Sequence, residues 1–272
     1  MQQNLTSGSV FQNVVRFSLP YLLSYFLQTL YGMADLFIIG QFEGVSSTTA
    51  VAVGSQVMHM LTVMLVGLAM GTTVTIAQAV GAGDEKRAAR AVGNTVTLFG
   101  GISALLTVVL LLLVRRITAV MSTPAEAVDG TVRYLTICFL GIPFITAYNV
   151  LSSIFRGMGD SKSPMYFIAC ACVCNIALDY LFMGAMRLGP MGAALGTTLS
   201  QAISVAISLA VIVRRRTMPP AKADLRPQKP VMDAILKIGV SISVQDGFIQ
   251  ISFIVITVIA NRCGLTRTAA VG

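Results

Sequence analysis

The chain has 272 residues, of which 55% are apolar and only 11% charged, with a mean hydropathy of +0.80. Water-soluble domains carry about 25% charged residues, so this composition excludes a soluble enzyme and a disordered chain alike. Nineteen Lys and Arg against eleven Asp and Glu give a net charge of +8; because these basic residues lie between long apolar runs, they read as orientation signals in a bilayer rather than as a nucleic-acid surface.

A hydrocarbon core about 30 Å thick takes about 20 helical residues to cross. In chain order the apolar runs predict seven transmembrane helices, near 14–39, 51–79, 91–114, 134–155, 163–186, 191–213 and 235–260. The fifth reaches spanning length only with Asp179 counted inside it. Strand alternation is absent, so the reading is an all-α, polytopic membrane helical bundle and not a β-barrel. The first residues hold neither a basic n-region nor a small-x-small cleavage site, so the first span is expected to be retained.

Cap chemistry marks several starts. Asp84, after Gly81-Ala82-Gly83, is placed to cap the third helix. Thr123-Pro124-Ala125-Glu126 has the form of a capping box leading into the fourth span, and Ser163-Pro164 is expected to open the fifth in the same way. Loop charges set the orientation: with the N-terminus inside, thirteen Lys and Arg fall in cytoplasmic pieces and six outside. The stretch 214–234, with four Pro and six Lys or Arg, reads as a cytoplasmic linker. Its basic run reads as a topology signal, with contact to anionic membrane lipids as the alternative.

The five Cys lack metal-site spacing. Successive members of Cys170, Cys172 and Cys174, two residues apart, point to different helix faces and so make no single ligand set, and Cys138 and Cys263 are isolated, so all read as small buried apolar residues. A weak repeat links Thr49-Ala50-Val51-Ala52-Val53-Gly54 to Thr268-Ala269-Ala270-Val271-Gly272, and Arg16-Phe17-Ser18-Leu19-Pro20 to Lys237-Ile238-Gly239-Val240-Ser241. Both offsets are near 220 residues. Duplicated six-helix halves are implied, with the second half cut short.

Acids inside the bilayer are costly, at least about 2.5–3.5 kcal/mol each when ionised, and are candidates for function by default. Asp35 lies late in the first span, Asp179 in the outer half of the fifth and Asp246 midway along the seventh. Asn175 precedes Asp179 by four residues, and Gln28, Tyr31 and Asp35 follow one stripe of the first helix. If the stripes meet, two carboxyls, an amide and a phenol line one cavity, able to share a proton or to hold Na⁺ through oxygen ligands. Pro20 is expected to kink the first span, as a static bend or as a hinge. Lone His59 reads as a helix-contact residue ahead of a proton relay, and the 14 Met and 13 Phe suit an adaptable apolar pocket or a lipid-facing surface equally.

These residues carry a family resemblance. Arg156-Gly157-Met158-Gly159-Asp160-Ser161-Lys162-Ser163-Pro164, followed by Asn175-Ile176-Ala177-Leu178-Asp179-Tyr180, resembles the loop and fifth helix of MATE multidrug efflux transporters. Pro20 with Asp35-Leu36-Phe37-Ile38-Ile39-Gly40 resembles their first helix, and Gly81-Ala82-Gly83-Asp84 the loop after their second. Gly189-Pro190-Met191-Gly192-Ala193-Ala194-Leu195-Gly196-Thr197 resembles the start of their sixth. The Asn-x-x-x-Asp pair looks most like the DinF-like branch. The resemblance implies two six-helix lobes forming a V in the inner or plasma membrane, and antiport of organic, often cationic, compounds against H⁺ or Na⁺, with no cofactor. It implies that coupling falls on Asp35, Asn175, Asp179 and Thr197, that Pro20 is the site of bending, and that Gln28 and Tyr31 lie on the drug-facing wall. Twelve helices are usual in the family. This chain then divides into a six-helix lobe at 1–213, a linker at 214–234 and the first helix of a truncated second lobe at 235–272, with the missing C-terminal lobe as its partner.

Other readings predict differently. A flippase for lipid-linked sugars favours a cationic cleft for its pyrophosphate, whereas the intramembrane charges read here are acidic. A non-transporting membrane scaffold predicts no effect of changing Asp179. An integral membrane enzyme lacks any nucleophile–base pair or metal cluster in this sequence.

Overall fold

A computed structural model of the chain describes residues 8–121, 123–215 and 224–262. The repeat segment 268–272, Cys263 and residues 216–223 of the basic linker lie outside the described residues. Eight α-helices are described, in chain order: α1 Val10–Phe42, α2 Val45–Gly81, α3 Glu85–Val120, α4 Val128–Leu140, α5 Ile142–Gly157, α6 Lys162–Asp179, α7 Pro190–Arg215 and α8 Lys229–Arg262. Among the described residues six helices are long and apolar enough to cross a membrane, and the bent pair α4–α5 is long and apolar enough to count as a seventh if it forms one broken span.

The helices outrun their apolar stretches because hydropathy reports only the part that needs lipid. α3, read as 91–114, extends to Glu85 and Val120. Asp84 caps it as expected, its Oδ1 accepting the Arg87 amide at 2.9 Å. The capping box does not form. Thr123 Oγ1 donates back to the Thr118 carbonyl at 3.0 Å, and Ala125–Ala127 make a single 3₁₀ turn before α4. The fourth span is not one helix but two, bent by 49° at Gly141. Pro143 is the cause: it lacks the N–H that would reach the Phe139 carbonyl, and its ring cannot pass that carbonyl in an unbroken helix. Ser163-Pro164 does not supply the cap of the fifth span either. Asp160 does, accepting the Lys162 amide at 3.1 Å, the Ser163 amide at 3.0 Å and the Ser163 hydroxyl at 2.6 Å. After Asp179 the fifth span ends in a π-turn, Tyr180–Ala185, one residue wider per turn than the helix it continues. α8 starts at Lys229, inside the stretch read as linker; Pro230 sits in its first turn, where it has no helical bond to lose.

α2 is the hub of the bundle, packed on α8, α5, α4 and α3, while α1 pairs with α6 and α6 with α7. Two apolar clusters fill the interior. One, built on Ile38, Tyr134, Phe139 and Met183, lies toward the end where α1 finishes. The other, built on Phe99, Phe155, Phe167 and Ile235, lies toward the end where α1 begins. Leu19, Phe26, Leu105, Leu112 and Val173 stay exposed, a surface that only hydrocarbon would cover favourably. Buried hydroxyls such as Thr75, Thr95 and Ser208 bond back to carbonyls of their own helices.

The α2–α8 seam is a glycine contact. Side chains at Gly71 and Gly239 would run into the Ile235 and Leu68 carbonyls, and one at Gly67 would come 2.8 Å from Ser243 Cα. Close backbone approach through small residues is how helices associate where lipid removes any hydrophobic drive. Gly71→Ala is therefore expected to destabilise the protein by about 1–3 kcal/mol, read as a lowered thermal midpoint in detergent. Gly81→Ala, which meets nothing within 4 Å, is the control and should leave the midpoint in place.

Candidate functional site

Three helices bring the predicted acids together. Asp35 comes from α1, Asn175 and Asp179 from the last turns of α6, and Thr197 from the first turns of α7. The α1–α6 and α6–α7 contacts align these stretches. Asp35 is 3% exposed, and Asn175 and Asp179 are 0% exposed, so neither carboxyl reaches headgroups or lipid. Thr197 Oγ1 donates to Asp35 Oδ2 at 3.1 Å. The Asp35 carboxyl faces that of Asp179 within interaction distance, with the Asn175 amide beside both.

The arrangement is rich in acceptors and poor in protons. Asp35 Oδ1, both Asp179 oxygens and Asn175 Oδ1 are closed off and have no hydrogen-bond partner, and Asn175 Nδ2 is a donor left in the same state beside them. Two facing carboxylates repel unless something positive lies between them. A shared proton meets that need. So does a small hard cation, which takes oxygen ligands of this kind, namely carboxylate, amide carbonyl and hydroxyl.

Neighbouring residues hold the cluster in shape. The Thr197 carbonyl accepts the Ser200 hydroxyl at 2.8 Å and the Tyr31 hydroxyl at 3.4 Å, tying α1 to α7 one turn from Asp35. Gly196 lies directly against Asp179 Oδ1, where no side chain would fit. Sequence reasoning does not single out Gly196 and Ser200 as site residues. The small-residue run Gly192-Ala193-Ala194-Leu195-Gly196 is the available signal, since it lets another element press on α7.

The other predicted residues fall outside the cluster. Gln28 is half-buried one turn before Tyr31. Pro20 lies inside α1, which continues past it as one helix, and its carbonyl accepts the Ser24 hydroxyl at 2.8 Å. His59 is exposed on α2 and lines a cavity of about 540 Å³ with Leu36, Gln56, Met60, Leu110 and Gln250. Asp246 is half-buried on α8 against Gly67, away from the paired acids. Arg156, counted as a loop charge, sits instead in the last turn of α5. A feature without sequence signal ties the end of the linker to α3. Asn94 donates to the Asp224 carbonyl at 3.3 Å and accepts the Gln228 amide at 2.6 Å, and Thr97 donates to the Leu225 carbonyl at 2.8 Å.

Known proteins resemble the chain throughout. The sequence pattern that defines the MatE family matches residues 20–181. The probable multidrug resistance protein YpnP of Bacillus subtilis is 31% identical over 261 residues, covering 96% of this chain and 58% of its own length. The multidrug export protein MepA of Staphylococcus aureus is 26% identical, covering 85% of this chain and 51% of itself. Among solved structures, a MATE protein in the bent conformation superposes with a TM-score of 0.89 at 26% identity, over 96% of this chain and 59% of that one. A transporter of the MOP superfamily from Pyrococcus furiosus does so with a TM-score of 0.88 at 26% identity, over 96% and 58%. The chain thus spans less than two thirds of the length of these relatives.

Proposed function

Because the chain belongs to the MatE family of multidrug efflux transporters, we propose that the complete gene product exports organic, often cationic, compounds in exchange for H⁺ or Na⁺. The observation that carries this reading is the pair of facing, closed-off carboxyls with unpartnered oxygens. In this reading Asp35, Asn175, Asp179 and Thr197 take up the coupling ion, and Tyr31 and Ser200 hold Thr197 at its post. Ion and drug occupy the protein in alternation. Filling the site neutralises the acids and favours one packing of α1 about Pro20; emptying it favours the other, and the lobes rock between inward and outward states. The cavity beside Met60 and Leu110 suits an apolar organic body, with Gln56, His59 and Gln250 as its few polar contacts. The positive-inside bias supports a cytoplasmic N-terminus, and the family supports a place in the inner or plasma membrane.

Efflux of a fluorescent organic cation from proteoliposomes tests the proposal. Export of the dye driven by an imposed inward Na⁺ or H⁺ gradient is expected, and its loss when that gradient is collapsed. Equal dye movement with and without either gradient overturns ion coupling.

A further inference from the structure

Arg156 is a half-buried cation that the coupling site does not use. It stands in the last turn of α5, where the negative end of the helix dipole offsets part of its charge. That position accounts for a positive residue but not for its surroundings. A guanidinium carries five N–H donors in a fixed fork. Nη2 donates to Ser153 Oγ at 3.3 Å, while Nε is closed off and finds no acceptor. One face of the group lies over the Tyr21 ring of α1, 5.2 Å from its centroid. The ionisable groups that bear on it among the described residues are two phenols, Tyr21 and Tyr148, and no carboxylate. Asp160, four residues on, is committed to capping α6.

A second observation stands beside the first. Ser152, only 2% exposed, has its hydroxyl closed off beside the Tyr148 phenol, with no other partner. One face of this part of α5 therefore offers an unsatisfied guanidinium edge beside a serine–phenol hydroxyl pair. Around them are the apolar residues of the cluster that holds Ile154 and Phe167. A half-buried guanidinium with a closed-off Nε and no carboxylate beside it is matched by an anion with two oxygens, which fits the fork.

We propose that Arg156, with Ser152 and the two phenols, binds the carboxylate or phosphate group of an amphiphilic molecule at the end of the bundle where α1 begins. A dissolved aromatic carboxylate and a phospholipid headgroup present the same chemistry to it. The site shares no residue with the paired acids, so its test is independent of ion coupling.

The complete gene product in phosphatidylcholine nanodiscs is titrated calorimetrically with benzoate and with benzamide, its neutral match. Benzoate is expected to bind and benzamide not. Arg156→Gln should weaken benzoate at least about tenfold, and Arg156→Lys, which keeps the charge and loses the fork, should also weaken it. Should Arg156→Gln fail to fold, Ser152→Ala gives the second readout and is expected to weaken benzoate with the thermal midpoint unchanged. Replacing part of the lipid with phosphatidylglycerol assigns the source: competition with benzoate marks a lipid headgroup, and its absence marks a dissolved carboxylate. Equal binding of benzoate and benzamide overturns the proposal. So does benzoate binding unchanged in Arg156→Gln or, where that variant fails, in Ser152→Ala.

Discussion

Asp179→Asn and Asp35→Asn should each abolish ion-driven export while leaving the protein folded. Asparagine keeps the shape and much of the hydrogen bonding of aspartate but removes a charge. Either change leaves one carboxyl in a space with almost no contact with solvent. A single carboxyl holds a cation far more weakly than two. Loss even of an outer partner of a bound metal costs about 10- to 100-fold in affinity, and loss of a direct ligand costs at least as much. The measurement is efflux from proteoliposomes across a Na⁺ or H⁺ gradient, with binding of radioactive sodium to the purified protein as a second readout. Wild-type, gradient-dependent export in both variants would remove these residues from the coupling reaction.

Gly196→Ala is expected to impair export nearly as much, although it deletes no polar atom. The added methyl would occupy the space held by Asp179 Oδ1, so the carboxyl must swing off Asp35 or α7 must retreat from α6. Either movement opens the cluster and pulls Thr197, the next residue, from its 3.1 Å bond with Asp35. Displacements of about 1 Å at a preorganised site commonly cost about 100-fold. Gly100→Ala, which meets nothing within 4 Å, controls for the effect of a methyl group on an α-helix. Equal export by the two alanine variants would falsify the idea that the Asp179 carboxyl must lie where it does.

Much of this is legible in the residues because the bilayer enforces simple rules. Seven apolar runs give six single spanning helices and one bent pair, since a segment crossing hydrocarbon must satisfy its own backbone. The acids are legible for the converse reason, that a charged group at that depth needs a purpose. Boundaries are less so. The Thr123 box pattern is present, yet its hydroxyl bonds backward to Thr118 instead of forward to an amide. The bend at Gly141 is signalled by Pro143, but an unbroken apolar run masks it. The cap of α6 comes from Asp160, whose place in a longer motif hides that role. Within the site, the acids and Thr197 announce themselves by type, whereas Gly196 matters for what it lacks. Packing of that kind depends on which helix lies opposite, and hydropathy does not record it. The same holds for Arg156, whose charge is plain in the sequence while its partial burial is not.

The seam between α2 and α8 bears on where such a protein can flex. Ile235 of α8 belongs to the same apolar core as Phe99 and Phe155, and the glycines on either side admit no lipid between the two backbones. Asn94 and Thr97 fasten the approach to that helix as well. If a second lobe begins at α8, the change of lobe along the chain and the mechanical dividing line are different places. The inner half of α8 is built to ride with the first six spans. If a second lobe follows, its swing would be taken up farther along α8, past Asp246 (which still meets Gly67), where Gly247 meets nothing within 4 Å.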